Sequence, residues 1–282
     1  MTYAIEVTNL RKKFPEFQLI DVSFRLPAGT IMGFVGENGA GKTTTIKCIL
    51  DLLHKDSGEI KIFGQDVTKH GSSIKEQIGV VFDDLYFPDT LNATQISAIL
   101  EEVFSTWDES YYVNLLKQFK IPFKKPIKAL SRGMKMKLSI ATALAHHPRL
   151  LILDEPTSGL DPIIRDEILD IFMDFMQDEN NSILFSTHIT SDLEKIADYI
   201  TFIHEGEIIF SKNKDDLLYD YGIWKGSLEE AEELPEDAKI RMKKNAFGVE
   251  ILVNRQQASH AFQLEKPSIE EIMLFFVKGV AA

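Results

Sequence analysis

Only one cysteine, Cys48, occurs in the 282 residues, so no internal disulfide can form and a reducing compartment is expected. Its place on the apolar side of a helical pattern points to packing, not thiol chemistry. No run approaches the ~20 apolar residues of a membrane-spanning helix. The start, Tyr3-Ala4-Ile5-Glu6-Val7-Thr8-Asn9-Leu10, alternates like a strand and does not read as a signal peptide. Any membrane role is therefore expected to come through a partner chain. An excess of basic charge is also lacking. The net charge is −12, which argues against a general nucleic-acid binder, since that role favours a basic face; a local basic patch stays open. There are no sustained heptads, internal repeats or low-complexity tracts. What remains is the composition of an ordinary globular chain, long enough for a large core and more than one domain.

Within that chain, Gly36-Glu37-Asn38-Gly39-Ala40-Gly41-Lys42-Thr43 has the spacing of a phosphate-gripping loop. The apolar run Ile31–Val35 before it suits a buried strand. Thr44 to Leu53 after it carries Ile46, Ile49, Leu50 and Leu53 at helical spacing. Strand, glycine loop and helix is the context the motif needs. Glycines let successive N–H groups turn toward phosphate oxygens, and the helix N-terminus adds partial positive charge. Lys42 is expected to reach the β- and γ-phosphates and Thr43 to hold Mg²⁺.

Strands alternate with helices elsewhere. Leu19–Leu26, Glu59–Gly64, Gly79–Phe82, Leu150–Asp154, Ser182–Ser186, Tyr199–His204 and Glu207–Phe210 read as strands. Helices are expected near Ile163–Met176 and Thr190–Ala197. This pattern predicts an α/β domain built on a parallel sheet. Leu91 to Leu130 reads as largely helical, with Trp107, Tyr111, Leu115 and Leu116 on an apolar face. The block from about 88 to 148 reads as a helical insertion between two halves of the sheet. Residues 1–220 would form this first domain, and 221–282 a small accessory α+β unit. There, Ser227–Lys244 reads as a solvated helical face broken by Pro235, and Val249–Val253 as a strand. Ser268-Ile269-Glu270-Glu271 reads as a capping box opening the helix Ile272–Val277. The accessory unit is expected to cover a sheet edge or brace a dimer; regulatory ligand sensing is the alternative.

Leu150-Leu151-Ile152-Leu153-Asp154-Glu155 puts Asp154 at the C-terminal end of a buried strand, where ligands collect in open α/β sheets. An aspartate so placed holds Mg²⁺ with the loop threonine in phosphate-loop ATPases, and Glu155 could orient or deprotonate water. His188, after the next strand, is expected at the same edge near the γ-phosphate. His54, His70, His146, His147, His204 and His260 have no such placement.

In this order the motifs resemble the ATP-binding cassette (ABC) ATPases over about residues 1–220. Leu130-Ser131-Arg132-Gly133-Met134 stands where that family has its signature, and Ser158-Gly159-Leu160-Asp161 where it has its D-loop. The resemblance implies a P-loop NTPase core with a mixed sheet, an inserted helical subdomain and a small C-terminal extension. It implies ATP as ligand, with Phe14 stacking on adenine and Gly36, Glu37, Asn38, Gly39, Ala40, Gly41, Lys42, Thr43 and Thr44 around the phosphates. Thr43, Asp83 and Asp154 are implied as Mg²⁺ ligands, and Lys42, Glu155 and His188 as the catalytic set. Ser131, Arg132 and Gly133 would close over the nucleotide of a second ATPase subunit, in a homodimer or heterodimer. Three positions depart from the family pattern. Arg132 replaces a glycine, while Met134 and Asp83 each replace a glutamine. These put turnover in doubt more than nucleotide binding.

The implied function is the ATPase subunit of a membrane exporter, peripheral on the cytoplasmic face through a separate permease, with no nucleic-acid partner. In such transporters a groove near Asp83 receives a short permease helix, and Leu85-Tyr86-Phe87-Pro88 suits it; ordinary packing against the helical block is the alternative. The overall texture resembles ATPases of bacterial peptide and antimicrobial-peptide exporters. Two rivals stand beside this reading. One is a soluble ABC ATPase acting on non-transport machinery, against which the lack of heptads argues. The other is a slow regulatory subunit, against which intact Lys42, Asp154, Glu155 and His188 argue.

Overall fold

A computed structural model describes residues 2–246, 248–258 and 262–281. Two long strands open the chain, β1 (Tyr3–Lys13) and β2 (Gln18–Pro27), followed by the short β3 (Ile31–Val35). Helix α1 (Lys42–Ile49) follows the glycine loop. It is shorter at its far end than the apolar spacing to Leu53 predicts, and it starts earlier. Asp51, at φ 54°, ends it: the Asp51 and Leu52 N–H groups close back on the Cys48 and Lys47 carbonyls.

Strands β4 (Ser57–Ile62) and β5 (Gln65–Asp66) lead to α2 (Gly71–Lys75) and β6 (Ile78–Val81). The helical block holds α3 (Ala93–Glu101), α4 (Glu109–Gln118) and α5 (Arg132–Leu144). Each is started by a side chain that accepts from the first turn: Asn92, Asp108 and Ser131. Trp107 lies outside the helices, in the turn before α4, where its indole N–H donates to Ser97 at 3.1 Å.

The second α/β run is β7 (Leu150–Asp154), α6 (Pro162–Phe175), β8 (Ser182–Thr187), α7 (Thr190–Ile196), β9 (Tyr199–His204) and β10 (Glu207–Asn213). Then come α8 (Lys214–Asp220), β11 (Tyr221–Gly226), α9 (Leu228–Ala231), β12 (Lys239–Asn245), β13 (Gly248–Asn254), α10 (Ile269–Lys278) and β14 (Val280–Ala281). Lys239–Asn245 is a strand where the sequence reading placed a solvated helix. Pro235 stops α9, and β12 finds backbone partners on both sides, in β13 and β14. The capping box at Ser268 is formed as read.

Among the described residues the strands make three sheets. The central one runs β10-β9-β3-β8-β7-β6, parallel throughout except for the antiparallel edge strand β10. It is thus mixed. Its three middle strands, β3, β8 and β7, are buried along their whole length, because layers cover both faces. Alternation divides their side chains: Ile31, Val35, Leu151, Leu153, Ile183 and Phe185 face one core, with the helical block, α6 and α7. Met32, Phe34, Leu150, Ile152 and Leu184 face the other, with α1 and the antiparallel sheet β2-β1-β4-β5. The third sheet, β11-β13-β12-β14, carries a small core of its own around Trp224, Val249 and Ile251. Ile223, Leu252, Ile272 and Phe275 of the same region join the first core.

Because β3, β7 and β8 are parallel, their C-terminal ends meet at one edge. Val35 pairs with Thr187, and Asp154 with Ser186. The glycine loop, Glu155 and His188 all leave the sheet there.

Candidate nucleotide site

The loop after β3 needs glycine at two points. A Cβ at Gly36 would lie 2.4 Å from the Ile203 carbonyl oxygen, and Gly41 holds φ 111° with Leu19 and Phe17 pressed on it. No side chain caps α1, so its first N–H groups remain available to an anion. Lys42 is almost wholly buried. Its ammonium donates to the Gly36 carbonyl at 2.7 Å and the Glu37 carbonyl at 3.2 Å, and lies 3.3 Å from Glu155 Oε1.

Thr43 Oγ1 donates to Asp154 Oδ2 at 2.8 Å. Asp154 is 3% exposed, and its Oδ1 has no hydrogen-bond partner. Burial raises its pKa above the usual carboxylate range. The Thr43 hydrogen bond works against that, and the nearby charges of Glu155 and Asp83 add to it. The folded state therefore disfavours this negative charge relative to the unfolded chain, which lowers stability at neutral pH. Asp154→Asn is expected to raise the melting temperature of the nucleotide-free protein. Calorimetry without nucleotide reads this, and a lower melting temperature would show that the charged Thr43 contact outweighs the desolvation.

Glu155 sits at φ 54°, a left-handed conformation costing a non-glycine residue about 1–2 kcal/mol. The Ser186 carbonyl accepts its N–H at 2.9 Å, which helps to hold the turn. The turn points the carboxylate between two groups: Oε1 faces Lys42, and Oε2 lies 2.8 Å from His188 Nδ1. The fold thus gathers Lys42, Thr43, Asp154, Glu155 and His188 within one chain. Asp83 is exposed beyond the end of β6, close enough for its charge to act on Asp154.

Glu37, Asn38 and Gly39 are exposed at the loop's tip, Ala40 is buried beneath it, and Thr44 is half-buried in the first turn of α1. Phe14 is 36% exposed and stacks on Phe17, their ring centroids 6.4 Å apart. It is Phe17 whose ring edge meets Gly41. The sequence reading missed this residue, although a second aromatic three positions after Phe14 was a visible signal.

Ser131, Arg132 and Gly133 are not part of this cluster. They form the start of α5, with Ser131 Oγ accepting from the Met134 N–H at 3.2 Å. The Arg132 guanidinium rests on Gly159, where a Cβ would lie 2.9 Å from it, and Gly133 faces Ile164. Met134 packs half-buried against the main core, an apolar role that suits its side chain. His146 is buried at the floor of a groove described below, stacked on Phe104, and His260 lies outside the described residues.

A helix entered through a glycine loop, with lysine and threonine at its start and an acidic pair one strand beyond its neighbour, defines the P-loop nucleoside triphosphatases. The profile of the family described as "ABC transporter" matches residues 19–158. A second profile, "AAA domain, putative AbiEii toxin, Type IV TA system", matches 123–194, a stretch without the glycine loop. The bacitracin transport ATP-binding protein of Bacillus licheniformis is 36% identical over 212 residues, covering 74% of this chain and 69% of its own. A lantibiotic transport ATP-binding protein of Streptococcus pyogenes is 35% identical over 214 residues, covering 75% and 91%. A solved ATP-binding subunit of an ABC transporter superposes with a TM-score of 0.69 at 28% identity, over 76% of this chain and 91% of that one. The chain belongs to the ATP-binding proteins of the ABC transporter family, and is an ATPase. Proteins of this family supply the nucleotide-hydrolysing subunit of multi-component transporters. Among the described residues no helix is long and apolar enough to cross a membrane.

Proposed function

We propose that this chain works as one of a pair of Mg²⁺- and ATP-dependent cassettes on the cytoplasmic face of a permease that exports peptide antimicrobials. The observation that carries the reading is the convergence of Lys42, Glu155 and His188 beside the Thr43–Asp154 pair. The cargo class rests on the bacitracin and lantibiotic transport relatives.

Lys42 and the α1 N–H groups bind the triphosphate, and Phe14 and Phe17 offer a ring face to the base. Thr43 and Asp154, with Asp83 beside them, would hold Mg²⁺. Their hard oxygen donors and the unpartnered Asp154 Oδ1 fit that ion. When bound, it supplies charge neutralisation on the phosphate oxygens. Glu155 accepts the proton of, or orients, the attacking water, and His188 holds the transferring phosphoryl group. Ser131, Arg132 and Gly133, remote from their own loop, serve the nucleotide of the second cassette. ATP bound between two halves favours the closed pair, and hydrolysis lets them part. Identical and non-identical pairs fit equally.

A groove of about 620 Å³ opens between β6 and the helical block, lined by Leu52, Val80, Leu85, Tyr86, Phe87 and Phe104. It lies directly after Asp83, and its apolar lining with an exposed aromatic rim suits a short amphipathic helix of the permease. Tyr86 is 71% exposed, so replacing it leaves the core intact. Tyr86→Asp is expected to weaken capture of the permease by roughly tenfold or more, while mant-ATP binding by the free chain is unchanged. Co-purification from membranes expressing both chains reads the outcome. Undiminished capture would move the docking face elsewhere.

A further inference from the structure

Glu155 and His188 leave different strands, yet their side chains meet at 2.8 Å. Immediately behind them is a buried polar junction that joins both departing segments. Asp192 is 1% exposed and lies in the first turn of α7, four residues after His188. Its Oδ2 accepts from Thr157 Oγ1 at 2.7 Å, and Thr157 is itself 1% exposed, two residues after Glu155. Its Oδ1 accepts from Arg165 Nε at 2.5 Å, and Arg165 Nη2 donates to Ser191 Oγ at 2.6 Å. Both carboxylate oxygens are occupied, as a buried charge requires.

Two further contacts tell what this junction is tied to. Leu193, next to Asp192, presses on Gly33 in the middle of β3, where a Cβ would lie 2.7 Å from its methyl carbon. Helix α7 is thus seated directly on the strand that aims the glycine loop. On the other side, the segment after Thr157 carries Gly159, on which the Arg132 guanidinium of the α5 N-terminus rests. The junction therefore lies on a continuous path from the start of α5, through Gly159 and Thr157, to Asp192, α7 and the glycine-loop strand. Ion pairs of this kind contribute little to stability compared with apolar packing. What these contacts do is bridge the segment after Glu155 to the segment after His188.

We propose that Asp192, Thr157 and Arg165 are positioning residues for hydrolysis. They fix the Glu155 carboxylate against His188, and they link that pair to the loop touched by Arg132. This rests on the roles given above to Glu155 and His188. It predicts that loosening the junction slows turnover without weakening ATP binding, because none of the three contacts the glycine loop.

The test uses the full chain and four variants: Thr157→Val, Arg165→Met, Arg165→Lys and, as a control, Glu155→Gln. Valine keeps the shape of threonine and removes only the hydroxyl donor, so Thr157→Val carries the test if Arg165→Met proves unstable, with calorimetry confirming that each variant folds. The expected result is a fall in kcat of roughly tenfold or more for Thr157→Val and Arg165→Met, since small misplacements of catalytic groups cost that much. The mant-ATP Kd should stay within about twofold of the parent, as uniform binding is untouched. Arg165→Lys should recover part of kcat, because an ammonium keeps the charge beside Asp192 but lacks the fork that sets one nitrogen on Asp192 and another on Ser191. A parental kcat in folded Thr157→Val, with Glu155→Gln slow, would overturn the proposal alone. So would kcat and ATP affinity falling in proportion. Unimpaired hydrolysis in Glu155→Gln would instead overturn the site reading beneath it.

Discussion

Glu155→Gln should cut ATP hydrolysis by about 10²–10⁴-fold and leave ATP binding intact. The substitution keeps the length of the side chain and its capacity to hydrogen-bond toward His188, 2.8 Å away. What it removes is the proton acceptor and one negative charge beside Asp154 and Lys42. Removing that charge favours the binding of a triphosphate, so the affinity for ATP should hold or rise. The slow step then becomes the one that separates paired cassettes. A dimer stable enough to survive gel filtration with ATP, and absent with ADP, is expected for the variant and not for the parent. Steady-state phosphate release and light scattering on the same sample read both effects. Parental hydrolysis would remove Glu155 from the chemistry. Slow hydrolysis without ATP-dependent pairing would keep Glu155 but deny the two-cassette arrangement.

The strained backbone bears on the same point. A non-glycine residue at φ 54° is uncommon, and Glu155 is followed by Pro156, which restricts it further. Strain of this kind persists where the surroundings over-determine it, and it gathers at functional sites. The Thr157–Asp192 contact on one side and the Ser186 carbonyl on the other supply that determination.

Much of this was legible in the sequence because the signals are local. A glycine loop between an apolar strand and a helix has one dominant structural reading. Buried parallel strands such as Leu150–Asp154 announce themselves as unbroken apolar runs. A capping box marked the start of α10. Other features were hidden for identifiable reasons. The end of α1 was set by Asp51 in a left-handed turn, which apolar spacing does not reveal. Lys239–Asn245 is a strand because β13 and β14 pair with it, and charge density alone suggested a solvated helix. The junction at Asp192 unites residues 157, 165 and 192, whose separation along the chain carries no pattern. Phe17 lay within a visible aromatic pair, but only the approach of its ring to Gly41 distinguishes it from Phe14.

Lys42→Met should produce the opposite pattern to Glu155→Gln: nucleotide affinity itself is expected to collapse, by roughly 10²-fold, with hydrolysis falling at least as far. The ammonium is held at the glycine loop by the Gly36 and Glu37 carbonyls and by Glu155. Methionine retains most of the stem's volume within the buried channel and removes the charge, so the loss reads on electrostatics and not on a cavity. Charge-assisted hydrogen bonds are worth about 1.5–3 kcal/mol each, which sets the scale of the effect. Binding to the folded state raises its melting temperature with the logarithm of ligand over Kd, so the shift given by ATP should largely vanish in this variant. The shift should persist in Glu155→Gln, and that contrast separates grip from chemistry in one assay. Should Lys42→Met still be stabilised by ATP to the parental extent, the triphosphate would have to be held without this lysine, and the loop after β3 would no longer be its seat.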